Sequence, residues 1–132
     1  MARKKLLIHI IVLMFFIFLT DKAAGKFYWY NSIWYFDMIM HFLGGVWVGL
    51  FFIYTLSVDE ASLKSLWRVV LLTLLIGVSW EVYEFVVNNM IGRVPFDILD
   101  TLSDIFWDVA GGLVSLFYFS KIIMMVRGNK IQ

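Results

Sequence analysis

A chain of 132 residues that is 62% hydrophobic and 19% aromatic has the composition of a membrane protein. Its length suits one domain, residues 1–132, built from a few helices. The formal charge of +1 gives no electrostatic footprint for nucleic acid, and with no cysteine the chain can form neither a disulfide nor an iron–sulfur cluster.

Residues 1–5, Met-Ala-Arg-Lys-Lys, precede an apolar stretch over residues 6–19, the basic-then-apolar form of a secretory signal. Ala23 and Ala24 make a poor cleavage site, because Asp21 and Lys22 stand where small residues belong. The stretch therefore reads as an uncleaved first span over about residues 4–22. Its apolar part is only ~21 Å long at 1.5 Å per residue, so the flanking lysines must snorkel. Residues 21–26 read as a turn. Residues 27–36, Phe-Tyr-Trp-Tyr-Asn-Ser-Ile-Trp-Tyr-Phe, read as an interfacial segment at the outer surface, where rings with polar tips are satisfied. The second span runs over about residues 37–57. A polar connection follows over residues 57–65, with room for a short surface helix. The third span covers about residues 66–89, a loop residues 90–96, and the fourth span continues to about residue 126, ahead of the basic tail Arg127-Gly-Asn-Lys130. The expected fold is an all-α bundle of four transmembrane helices.

Four spans bring both termini to one side. That side would carry Arg3, Lys4, Lys5, Lys64, Arg68, Lys121, Arg127 and Lys130, against Lys22, Lys26 and Arg93 on the other. The positive-inside rule places the termini in the cytoplasm and the chain in the inner cell membrane as a multi-pass protein.

Within that frame the acids converge. Asp97, Asp100, Asp104 and Asp108 are spaced three, four and four apart and form one stripe on the helix that opens the fourth span. Asp37 and His41 share a face at the start of the second span, and Glu81, Glu84 and Asn88 share one near the end of the third. All three groups fall in the outer leaflet, with Glu81 roughly 12 Å from the outer end of its helix. Seven of the chain's ten acids belong to this set. The pattern Asp37-x-x-x-His41-x-x-Gly44-Gly45 recurs 67 residues later as Asp104-x-x-x-Asp108-x-x-Gly111-Gly112, as two parallel helix hairpins about an axis along the membrane normal would show. Chance convergence on one local geometry would look the same. Gly45-x-x-x-Gly49 is a helix-packing motif in its own right, and glycine-rich faces of this kind could also join copies into a homo-oligomer.

So many carboxylates in low dielectric cannot all be ionised without compensation. Either some hold protons or a cation binds. Carboxylate oxygens with one imidazole suit Mn²⁺, Fe²⁺ or Zn²⁺, and a purely carboxylate subset suits Mg²⁺ or Ca²⁺. The expected metal ligands are Asp37, His41, Glu81, Glu84, Asp104 and Asp108, with Asn88, Arg93, Asp97 and Asp100 at the rim as substrate-binding residues. A metal-free network of shared protons and a solvated polar entrance are the alternatives. Haem is disfavoured, because His9 lies at the opposite end of the bundle from His41.

These residues resemble a known family. Asp37-x-x-x-His41, Trp80-Glu81-x-x-Glu84 and Asp100-x-x-x-Asp104-x-x-x-Asp108-x-x-Gly-Gly are similar, in order and spacing over about residues 35–118, to VanZ-like membrane proteins and the related YjdF-type inner-membrane proteins. Asp108 stands where VanZ-like chains are expected to carry asparagine, and Met38 where lysine is common, so this pocket is the more acidic. The resemblance implies a role at the cell envelope, where VanZ-like proteins are associated with glycopeptide resistance, without naming a reaction. The first functional expectation is a metal-dependent enzyme acting on a membrane lipid or lipid-linked phosphoester at the outer leaflet, with Glu81 or Glu84 as general base. A proton- or cation-coupled carrier and a non-catalytic, metal-stapled binding protein are the others.

Overall fold

The computed structural model describes residues 2–58, 62–92 and 95–123, and every regular element among them is helical. The elements are α1 (Ala2–Phe27), the single turn α2 (Trp29–Ser32), α3 (Phe36–Thr55), α4 (Leu63–Val87) and α5 (Ile98–Tyr118). A π-helical turn, Asn88–Gly92, prolongs α4, and a second, Phe119–Ile123, prolongs α5. Four stretches are long and apolar enough to cross a bilayer: Arg3–Phe27, Phe36–Thr55, Leu63–Gly92 and Ile98–Lys121. The expected all-α, four-span architecture is therefore the observed one.

Three boundaries differ from the sequence expectation. Residues 21–26 are not a turn; α1 runs straight through them to Phe27. Ala23 and Ala24 are strong helix formers, Ala24 is buried, and one glycine costs a helix only about 1 kcal/mol. The chain turns instead at Tyr28, whose φ of 57° is left-handed. Tyr30 in the following turn donates from its hydroxyl to Asp21 Oδ1 at 3.1 Å, tying α2 back to α1. Partial burial, and then the Asp21 carboxylate, push this phenol up, so it stays a donor. The loop expected over residues 90–96 is helical as far as Gly92. Finally, α4 begins at Leu63, three residues early, because the Ser62 hydroxyl accepts the Ser65 amide at 3.2 Å as an N-cap.

The end of α3 has its own stop. Ser57 is left-handed at φ 51°, the Val58 amide donates to the Ile53 carbonyl and the Ser57 amide to the Tyr54 carbonyl. That pair of bonds is a Schellman motif, and Val58 packs on the core below it.

Helices α3 and α5 form the central pair, running parallel and in register. Gly45 lies against the backbone of Asp108, Gly111 against Phe42 and Val46, and Gly49 against Ser115 and Gly112. These contacts pair residues 63 to 69 apart, a range that includes the 67-residue offset of the sequence repeat. His41 meets Asp108, its own repeat equivalent. Helix α4 closes one side of the pair through a buried row four residues apart, Val69, Thr73, Gly77 and Glu81. At the end away from the acids, α1 packs on α3: Leu6 and Ile10 join Leu50, Ile53, Val69, Leu116 and Phe119 in an apolar core. Trp47 Nε1 donates to the Ile10 carbonyl at 3.1 Å, and Arg3 donates to the Tyr54 carbonyl at 3.2 Å while lying over its ring.

Candidate functional site

The glycines make the site possible. A Cβ on Gly45 would run into the Asp108 backbone, and one on Gly77 would stand 2.6 Å from Asp108 Oδ2. Only with both side chains missing can the Asp108 carboxylate lie between α3 and α4. There it meets His41, one turn inside the start of α3, with Oδ2 3.4 Å from Nδ1. An ionised carboxylate can only accept, so Nδ1 donates to it; in the neutral imidazole Nε2 is then the nitrogen that keeps the lone pair.

Nε2 points at more oxygen. Asp37 Oδ1, one turn back on α3, is 3.8 Å away, and Asp104 Oδ2, one turn back from Asp108 on α5, is 3.9 Å away. Asp37, His41 and Asp104 can each offer one ligand atom, all within 4.8 Å of one another. A second set with the same property comprises His41, Glu81 and Glu84, and so draws in α4. His41 and Asp104 are 7% and 2% exposed and Glu81 9%. Asp104 Oδ1 and Glu81 Oε1 are buried with no hydrogen-bond partner among the described residues. Buried oxygens left that way are costly, and a cation removes the cost.

Five of the expected ligands, Asp37, His41, Glu81, Glu84 and Asp104, therefore gather in two sets that share His41. Asp108 is buried with them but belongs to neither ligand set; it lies at Nδ1 of that histidine. The rim residues divide differently. Asp97 is exposed and caps α5, its Oδ1 accepting the amides of Leu99 at 2.9 Å and Asp100 at 3.4 Å. Its Oδ1 is thus engaged in starting a helix, where an acid also suits the positive end of the helix dipole. Asp100 is exposed one turn above Asp104, and Asn88 is half-buried at the start of the π-helical turn. Arg93 lies outside the described residues.

Sequence reading placed none of Gly77, Thr73 and Ser115 in the site. Thr73, Gly77 and Glu81 recur every four residues, which puts small and polar groups on one face of a helix otherwise facing lipid. In the structure Thr73 and Ser115 are buried beneath the acids, Ser115 donating to the Gly112 carbonyl at 2.6 Å. His9 is exposed at the far end, edge-on to Tyr118.

Residues 2–124 match the profile of a family described as predicted membrane protein, DUF2238. No curated protein and no solved structure matches the chain.

Proposed function

We propose that this chain, which belongs to the DUF2238 family of predicted membrane proteins, is a divalent-metal protein of the inner cell membrane. Its ion is held by Asp37, His41 Nε2 and Asp104, with Glu81 and Glu84 alongside. One observation carries this reading: His41 Nε2 faces two carboxylate oxygens at 3.8 and 3.9 Å while Nδ1 faces Asp108, and in the neutral ring Nε2 and those two oxygens are three converging acceptors, which call for a cation among them. Ligand atoms about 2.0–2.2 Å from one ion sit ~3.0–3.5 Å apart, so the side chains, 3.8 and 3.9 Å from Nε2 and all within 4.8 Å of one another, would close by up to roughly an ångström or more around an ion. Asp108 completes the carboxylate–histidine–metal arrangement that fixes a ligand histidine's tautomer and ring plane. One imidazole among carboxylates favours Mn²⁺, Fe²⁺ or Zn²⁺ over Mg²⁺ or Ca²⁺.

The substrate class follows from where the site opens. Trp34, Met90, Ile91, Phe96 and Leu99, all strongly exposed, ring the same end of the bundle. Such residues belong among headgroups and acyl chains, which favours a membrane lipid or lipid-linked envelope molecule, in keeping with the VanZ-like and YjdF-type resemblance. A bound ion would supply Lewis-acid polarisation of a phosphoester oxygen. Glu84, half-buried toward the opening, is the better placed of the two glutamates to take a proton from water. Past the buried Thr73 and Ser115 beneath the acids, the helices close over Leu50, Ile53, Val69 and Leu116, an apolar layer that favours a dead-end pocket over a carrier's path.

The test is elemental analysis of purified protein, with thermal melting before and after chelation. Stoichiometric Mn, Fe or Zn is expected, and chelation should lower the melting temperature, since an ion at 100 times its Kd adds about 2.7 kcal/mol to the folded state. Protein that takes up no divalent ion at any concentration sinks the proposal.

A further inference from the structure

We infer that the pocket is built for two adjacent divalent ions rather than one, an inference that rests on the metal reading above. The two ligand sets share His41 and nothing else. A neutral imidazole with its Nδ1 proton turned to Asp108 has one lone pair, so His41 serves one ion only. The other ion must then be held by carboxylates. Glu81 and Glu84 supply them from α4, three residues apart on one face.

Two buried oxygens without partners point the same way. Each set contains one of them, Asp104 Oδ1 in the first and Glu81 Oε1 in the second, on side chains 98% and 91% buried. Asp104 turns Oδ2 toward His41 and leaves Oδ1 without a partner among the described residues, an oxygen available to a second ion. Charge agrees. Five carboxylates, Asp37, Glu81, Glu84, Asp104 and Asp108, surround His41. One divalent ion leaves three of those negative charges unmatched inside a membrane bundle, whereas two ions leave one. Acids and histidine projected inward from facing helices are the general means by which helical bundles hold paired metal ions. Two ions about 3.5–4 Å apart could clamp both the attacking and the leaving oxygen of a phosphoester, the substrate class already proposed.

The full chain, purified in detergent, stripped with chelator and titrated with Mn²⁺, should bind two ions per chain. Electron paramagnetic resonance should show the exchange-coupled pattern of a close pair. The Glu81→Gln/Glu84→Gln variant should keep one ion with an isolated-ion signal, its helicity checked by circular dichroism. Should that variant fail to fold, Glu84→Gln alone, at the half-buried position, should show the same loss of coupling. One ion per wild-type chain, or two without coupling, overturns the paired site and leaves the single-ion reading standing. No ion at all overturns both.

Discussion

Replacing Asp108 by asparagine keeps the shape of the side chain between Gly45 and Gly77 and removes its charge. If its task is to fix the Nδ1 proton of His41, the ion loses orientation and not a ligand. Metal affinity should fall about 10–100-fold, the usual cost of removing such a partner, whereas Asp104→Asn should abolish binding at that position. Competition titration against a chromogenic chelator separates the two. Equal losses from both variants would show that Asp108 is itself a ligand. Asp97 gives the contrasting case. It lies on the same acidic stripe, three residues before Asp100, yet its oxygen is engaged by two backbone amides. Asp97→Ala should cost about 1 kcal/mol of stability, as lost N-caps do, and leave metal affinity unchanged. An altered affinity would place Asp97 in the site.

Among the helices, α3 and α5 depend on contacts that no side chain can enter. A Cβ at Gly45 meets rigid backbone at Asp108, and one at Gly111 meets Phe42 and Val46, so neither neighbour can swing away as a long side chain would. Gly45→Val should therefore lower stability by about 1–3 kcal/mol or more, the range for overpacking a tight interface. Gly25→Ala, where a Cβ meets nothing within 4 Å, should raise it by about 0.5–1 kcal/mol. Unfolding in denaturing detergent, followed by tryptophan fluorescence, reads both. A tolerated Gly45→Val would mean that the pair is held elsewhere. These contacts also mark what a sequence can and cannot tell. The spans and the acidic rows were legible because apolar length and four-residue spacing fix which residues share a helix face. The repeat was legible as a spacing, and its offset matches the register of α3 on α5. The path of residues 21–26 was not legible, because a lysine, an aspartate and a glycine look like a turn when nothing shows that Ala24 will be buried. Nor could spacing distinguish Asp108, which lies at His41 Nδ1, from Asp104, which faces Nε2; that depends on which side of the imidazole each helix presents.

For the whole molecule, orientation in the membrane decides which compartment the pocket serves. Among the described residues, the end of the bundle away from the acids carries Arg3, Lys4, Lys5, Lys64, Arg68 and Lys121, while the acid end carries Lys22 and Lys26. Basic residues close to span ends stay cytoplasmic as a rule, so the imbalance predicts a pocket that faces outward. The two ends also differ in kind. Tyr28, Trp34 and Tyr35 are exposed at the acid end, rings that anchor at a headgroup layer. At the other end Arg3 folds over the Tyr54 ring at 5.1 Å and bonds the last turn of α3, holding one cation at that end of the bundle. With no native cysteine in the chain, single cysteines report topology without background. Asn31→Cys, exposed in α2, should react in intact cells with a thiol reagent that does not cross the membrane. Ser62→Cys, exposed ahead of α4, should react only once the cells are opened. The reverse pattern would turn the pocket to the cytoplasm, and a metal site there would draw its ions and its lipid substrate from the inner leaflet.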